Sequence, residues 1–449
     1  MGLLDRRKGK KVVVIGLDGT PYSLITRLMG EGQLPHLAKT VERGSLRPMN
    51  SVIPTVSSVA WSCFMTGKNP GKHGIYGFVD RHPSSYDTYI PNSKTMESIT
   101  LWEVLSQRGK RVVVINVPLT YPPREVKGVL VPGFLMPKVE TGTYPQWVGV
   151  KLKEMGYRID VDPWQARESK EKLLEDLDYT LEKRVEAAFY LMESQEWDFF
   201  MLHIMETDRL HHFLWEHMEK GDPTYGPAFL AFYKKLDQFL GELEGRLGHH
   251  ATLIILSDHG FCSIEREVYL NHWLREKGWL SFTKEPPESW TDIDGSSKVY
   301  CMDPGRIYIN LRGREGRGSV EPGREYEEFR SQLAKELAAL MDPQSGEPMI
   351  EQVVKREEAY NGPCYPLAPD QVAMPRRGYD LKGSPKKDRL TDKGPLVGMH
   401  TYDDAFLYIE GQKIDKEVVE IVEVMPTILD LMGLPLPEDL DGTSLISAR

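Results

Sequence analysis

The chain has 449 residues, 40% apolar and 27% charged, the usage of ordinary globular domains, which argues against a disordered, collagenous or coiled-coil protein. Its formal charge of −10 argues against a general electrostatic grip on a nucleic-acid polymer, which needs a basic face, while leaving a nucleotide open as a small substrate. Four cysteines, Cys63, Cys262, Cys301 and Cys364, make no CxxC pair, so neither a disulfide framework nor a cysteine zinc ribbon is expected.

No apolar run approaches the ~20 residues of a membrane-spanning helix. The basic residues Arg6, Arg7, Lys8, Lys10 and Lys11 precede an apolar stretch that ends at Asp18 with no small-residue cleavage site. A signal peptide is therefore not expected, and the expected compartment is the cytoplasm.

In chain order, a strand is predicted at 11–17 (KVVVIGL), helices at 23–30, 34–42 and 96–107, and a strand at 111–117 (RVVVINV). A stretch rich in Pro, Gly and Tyr follows at 121–164. Then come a helix at 170–193, a strand at 197–204 (WDFFMLHI), a helix at 228–245 and a strand at 252–256 (TLIIL). Continuous apolar strands alternating with helices indicate an α/β fold with a doubly wound, mostly parallel sheet and helices on both faces. Residues 264–396 mix Pro/Gly clusters with a strand at 306–310 and a helix at 326–341. Within them, 363–393 reads as a long irregular loop. The expected organisation is a core from 1–120, 165–263 and 397–449, with a small insertion at 121–164 and a cap at 264–396.

Chemistry-bearing side chains gather where strands end, the place where open α/β sheets bind ligands. Asp18 follows the first strand, and Ser257-Asp258-His259-Gly260 follows TLIIL. Either could be an ordinary turn, but carboxylate and imidazole together suit a divalent metal. Asp208 and His212, spaced i, i+4 after WDFFMLHI, share one helix face and could ligate one ion or simply be solvated. His211 points about 100° away and reads as structural. His400, in GMHTYDDAFLYIEG, gains weight only from this company. In PTVSSVAW, Ser57 or Thr55 could cap a helix, or Ser57 could be a nucleophile at a helix N-terminus that binds an anion. Three Asp, three His and one Ser make an inventory for two divalent ions, whose charge three carboxylates and a Ser57 alkoxide would neutralise.

These motifs, VVVIGLDG, PTVSSVAWSCFMTGKNPGKHGIYGF, ETDRLHH, LSDHGF, GMH and VEVMPTILDLMGLPLPEDLDGTSL, resemble in order and spacing the alkaline phosphatase superfamily, and within it the type I phosphodiesterase/nucleotide pyrophosphatase family. The resemblance implies an alkaline phosphatase-like metal-binding core. In that family the nucleophile, usually Thr, lies nine residues before the Thr of a TG pair, and counting back from Thr66 gives Ser57, with Thr55 and Ser58 as alternatives. It implies that Asp208, His212 and His400 hold one ion, and that Asp18, Ser57, Asp258 and His259 hold the other. Zinc is the usual metal of the family, and manganese is common among related phosphomutases. Two departures stand out: Ala60 and Phe78 occupy positions where the family carries Asn, so a donor to a non-bridging phosphate oxygen is missing or comes from elsewhere.

The expected function is a two-metal hydrolase that cleaves a phosphodiester or nucleotide pyrophosphate bond through phospho-Ser57, acting on a small phosphorylated substrate such as a nucleotide. A cofactor-independent phosphomutase, a phosphomonoesterase and a catalytically degenerate scaffold are the alternatives. A sulfatase is not expected, because Cys63-Phe64-Met65-Thr66-Gly67 does not match the formylglycine motif. A monoester dianion would need an extra cation, for which Lys68, Lys72 and Arg81 are candidates. His73 could support the site from behind. Trp61, Tyr76 and Phe78 could stack on a substrate ring or belong to the core, and Cys262 could make activity sensitive to thiol reagents.

Overall fold

The computed structural model describes residues 11–446. Arg6, Arg7, Lys8 and Lys10, on which the expectation about targeting partly rests, lie outside the described residues. Eight strands form the central sheet: β1 (Lys11–Leu17), β2 (Gly44–Asn50), β3 (Val112–Ile115), β4 (Gly128–Val131), β5 (Phe199–Ile204), β6 (Ala251–Leu256), β7 (Ala405–Glu410) and β8 (Val419–Glu420). Their order is β8-β2-β7-β6-β1-β5-β3-β4. All run parallel except β7, which lies antiparallel between β2 and β6. The expected doubly wound α/β sheet is the one observed.

Strand side chains alternate between two cores. Val13, Ile15, Leu17, Phe200 and Leu202 face one side, with the helices Lys170–Ser194, Glu206–Glu219 and Tyr225–Leu247. Val12, Val14, Phe199 and Met201 face the other, with the helices Ser57–Thr66, Leu101–Gln107 and Val424–Leu431. Because both faces are covered, the strands read in the sequence as unbroken apolar runs. The helix expected at 96–107 begins only at Leu101, because Thr100 and Glu103 form a capping box, with Thr100 N–H donating to Glu103 Oε2 at 2.9 Å.

Residues 121–164 supply β4 at one edge of the sheet, and Val148, Leu152 and Tyr157 join the first core. Residues 264–396 carry their own four-stranded sheet, in the order Val299–Met302, Arg306–Ile309, Gln371–Pro375, Ile350–Lys355, and a separate apolar cluster that includes Ile307 and Leu333. The 363–393 stretch is not the irregular loop expected: it contains the strands Gln371–Pro375, Tyr379–Lys382 and Thr391–Asp392. Each exists through partners distant in sequence, Gln371 opposite Ile307 and Lys355, Tyr379 opposite Arg266, and Thr391 opposite Val268. Among the described residues, no helix is long and apolar enough to cross a membrane.

Candidate active site

Three adjacent parallel strands, β6, β1 and β5, end at one edge of the sheet, and each delivers site residues there. Asp18 follows β1. Asp258 and His259 follow β6. The Glu206–Glu219 helix follows β5 and presents Asp208 and His212 one turn apart, as the i, i+4 spacing predicts. His400 arrives on the strand Gly398–Thr401, which pairs antiparallel with Gly260–Ser263 and sets His400 opposite Phe261. Gly19, with φ +63°, turns the chain after Asp18; a Cβ there would come within 2.8 Å of Phe261 and 3.0 Å of His259.

Ser57 is the first residue of its helix, whose N-cap is Val56 with no side-chain cap. Its hydroxyl is turned to the site: Oγ lies 3.2 Å from Asp18 Oδ1 and 3.1 Å from His259 Nε2. The capping expectation for Ser57 and Thr55 is therefore not met. Thr55 Oγ1 donates instead to the Val52 carbonyl at 2.9 Å.

Asp208 Oδ1, His212 Nε2 and His400 Nε2 converge, with His400 Nε2 3.2 Å from both partners and His212 Nε2 3.4 Å from Asp208 Oδ1. His212 Nδ1 faces the Gly398 carbonyl at 2.9 Å, so Nδ1 carries the proton and Nε2 offers its lone pair inward. His259 is anchored likewise through Nδ1 to the Gly260 carbonyl at 3.0 Å. The His259 and His400 rings stack with centroids 3.7 Å apart. His259 also comes within ligand reach of both clusters, Asp208 with His400 and Asp18 with Asp258.

Burial pushes the Asp258 carboxyl well above the usual carboxylate range, and the charge of Asp18 pushes it further. Burial also raises Asp18, but hydrogen bonds from His203 and His259 outweigh it and hold Asp18 below that range. Burial lowers His259, yet Asp258 and Asp18 lift it to about 9. Burial and the neighbouring His259 drop His400 to about 4. Asp258 Oδ2 is buried and makes no hydrogen bond. The inward lone pair of His212, the crowded carboxylates, and Asp258 Oδ2, which makes no hydrogen bond and has His259 Nε2 3.4 Å away, are what a donor set shaped for cations presents.

His203 and Arg209 escaped the sequence reading, which weighed Trp61 only as a stacking or core residue. His203, inside β5, places Nε2 2.8 Å from Asp18 Oδ2 and Nδ1 2.9 Å from the Asn116 carbonyl. Trp61 Nε1 donates to the same Asp18 Oδ2 at 2.9 Å. Arg209 Nη1 donates to Asp208 Oδ2 at 3.3 Å while Nη2 reaches Asp160 Oδ2 at 2.7 Å. A histidine on an otherwise apolar strand was the one available signal. His211 is structural: Nδ1 lies 2.9 Å from the Gly19 carbonyl and Nε2 2.8 Å from the Tyr233 hydroxyl.

Of the other candidates, Lys68 and Lys72 pair with Asp439 and Asp441, and Arg81 pairs with Glu315 at 2.9 Å. His73 is buried against Cys63 Sγ at 3.2 Å. Trp61 and Tyr76 are buried, the latter donating to the Cys364 carbonyl at 2.8 Å. Burial raises the Cys262 thiol to about 11, which makes it a poor nucleophile. Phe78 does face open space. With Thr55, His212, His400, Trp290, Arg306 and Lys382 it lines a cleft of about 1040 Å³.

A family model for type I phosphodiesterase/nucleotide pyrophosphatase matches residues 12–403. Phosphonoacetate hydrolase from Sinorhizobium meliloti 1021, in complex with phosphonoformate, has a similar structure: TM-score 0.66 at 18% identity, over 95% of this chain and 96% of that one. Murine ectonucleotide pyrophosphatase/phosphodiesterase 5, an inactive variant in complex with AMP, gives 0.57 at 17%, over 96% and 97%. Its human counterpart gives 0.58 at 16%, over 98% and 100%. No curated protein matches the chain. Fold and family together define a hydrolase of the alkaline phosphatase superfamily. Within it, the chain belongs to the type I phosphodiesterase/nucleotide pyrophosphatase family.

Proposed function

We propose that this protein is a two-metal phosphoryl-transfer hydrolase that cleaves phosphodiester or nucleotide pyrophosphate bonds through a phosphorylated Ser57. The observation that carries the reading is Ser57 Oγ, aimed at Asp18 and His259 from the first turn of a buried helix. Asp208, His212 and His400 would hold one cation, and Asp18, Ser57, Asp258 and His259 the other. The mixed N/O set suits zinc, with manganese as the alternative. When bound, the two cations supply the positive charge that favours a Ser57 alkoxide and stabilises charge on the phosphoryl oxygens.

Asp18 Oδ1 orients Ser57 Oγ for in-line attack. The bond from Oγ to phosphorus forms as the bond from phosphorus to the leaving oxygen breaks, and the leaving group takes a proton from solvent. Water then attacks the phosphoserine, its P–Oγ bond breaks, and Ser57 regains a proton. The helix N-terminus at Ser57 favours the phosphoryl anion. Lys68, Lys72 and Arg81 are each committed to a carboxylate, so no extra cation from that segment awaits a monoester dianion, which favours the diester or pyrophosphate reading. Substrate would enter by the cleft at Phe78, with residues 264–396 contacting the leaving group. AMP and phosphonoformate, bound by two structural neighbours, are small phosphorus-containing anions of the expected kind.

The test is hydrolysis by chelator-stripped protein reconstituted with Zn2+ or Mn2+, comparing a chromogenic phosphodiester with the matching monoester. Metal-restored diester cleavage is expected. Ser57→Ala should lose it by at least ~10³-fold, as removal of a serine nucleophile does elsewhere. Acid quenching should trap one phosphoryl group on Ser57, read by peptide mass. Monoester preference would move the assignment to a phosphatase or mutase. No turnover of either ester despite two bound ions would point to a narrow natural substrate or a binding scaffold.

A further inference from the structure

Each buried carboxylate of the site is divided in the same way. Asp18 Oδ2 is held by Trp61 Nε1 at 2.9 Å and His203 Nε2 at 2.8 Å, while Oδ1 faces Ser57 and His259. Asp208 Oδ2 is held by Arg209 Nη1 at 3.3 Å, while Oδ1 faces His212 and His400. Asp258 Oδ1 accepts from Gly19 N–H at 3.0 Å, while Oδ2 is left with no hydrogen bond. The holding groups are themselves fixed from outside. His203 Nδ1 faces the Asn116 carbonyl at 2.9 Å, and Arg209 is gripped by Asp160, on the segment before the Lys170–Ser194 helix. The donors come from separate elements, yet each leaves one oxygen turned inward.

We infer that Trp61, His203 and Arg209 are positioning residues that hold Asp18 and Asp208 as one-oxygen ligands. The inference rests on the two-metal reading. Trp61 and Arg209 each donate an N–H to the outer oxygen of their carboxylate, and His203 packs against that same oxygen of Asp18, so the inner oxygen is the one left with lone pairs free toward the site. One-oxygen ligation also keeps the count of protein ligands low, so that positions stay open for substrate. Asp160 makes the 121–164 segment part of this arrangement, since it fixes the guanidinium that fixes Asp208.

The experiment is a Co2+ titration of the metal-free full chain, following the visible absorption of bound cobalt, which is intense for four-coordinate and weak for six-coordinate sites. Wild type should take up two ions per chain. Trp61→Phe, His203→Ala and Arg209→Met should each bind cobalt about 10–100-fold more weakly, with bands shifted toward higher coordination. His203→Gln and Arg209→Lys, which restore a donor, should recover the wild-type spectrum. Trp102→Phe, another buried indole of the same core, should leave it unchanged, and circular dichroism checks that each variant folds. Folded variants with wild-type affinity and spectrum would overturn the inference, as would an equal shift in Trp102→Phe. A wild-type protein that binds no cobalt would overturn the two-metal reading together with it.

Discussion

Ser57 differs from its neighbouring hydroxyls in what it faces. Thr55 is tied to a backbone carbonyl, and the Ser58 hydroxyl is buried with no partner. Thr55→Ala should therefore keep turnover within about tenfold of wild type, whereas Ser57→Ala abolishes it. Ser58→Ala should stabilise the protein by about 1 kcal/mol, because it removes a buried unsatisfied group; the urea midpoint reads this. His73 carries a pH prediction. Burial, with the charge of Lys68 added, drops it to about 3 from 6.5, so the folded chain keeps it neutral while the unfolded chain protonates it between those values. Its contribution is complete above pH 6.5 and is lost as pH falls toward 3, at about 1.4 kcal/mol per pH unit. His73→Gln should flatten the slope of unfolding free energy against pH between 6 and 4 relative to wild type. An unchanged slope would mean that His73 is protonated in the native state.

At the scale of elements, β1 and the Ser57–Thr66 helix fit together through one glycine. A Cβ on Gly16 would come within 2.5 Å of the Trp61 ring, which is fully buried and donates to Asp18. Gly16→Ala should cost about 1–3 kcal/mol by overpacking, read by urea unfolding, and should disturb Asp18 through Trp61. The elements also differ in how legible they were. The four β-branched or aromatic runs that became β1, β3, β5 and β6 stood out because both of their faces are buried. β2, with Arg47 and Pro48 in GSLRPMN, shows no such run; it is a strand because β7 and β8 pair with it. The strands between 371 and 392 were illegible for the same reason: their hydrogen bonds are supplied by distant partners, and short strands have weak intrinsic preference.

For the molecule as a whole, the sheet core and the 264–396 segment meet at buried charge. Arg306, on a strand of that segment, reaches Asp80 Oδ1 at 2.5 Å, and both are almost inaccessible to water. Asp80→Ala would strand a buried guanidinium and should destabilise by about 3–5 kcal/mol. Asp80→Ala combined with Arg306→Met should recover much of that loss. Limited proteolysis should show cuts within 264–396 appearing first in the single variant. Equal stability of the single and double variants would mean that the pair does not join the two parts. The same junction walls the cleft, since Arg306 and Phe78 both line it, so the single variant should raise KM more than it lowers kcat.

What the sequence determined by itself was local in kind or fixed in spacing. Unbroken apolar strands announced a covered parallel sheet, and one helical turn between Asp208 and His212 put both on one face. The order of the acidic, histidine and serine motifs along the chain pointed to the family. Only the tertiary structure decided which side chains serve these groups. Trp61 and His203 reach Asp18 across 43 and 185 residues, and His400 meets Asp208 across 192. No periodicity or motif spacing encodes such contacts: they exist because the parallel strands end at a common edge, and hydrogen-bond geometry there is set by packing rather than by sequence separation. The same holds for Arg81, Lys68 and Lys72, whose charge was visible in the sequence but whose carboxylate partners were not.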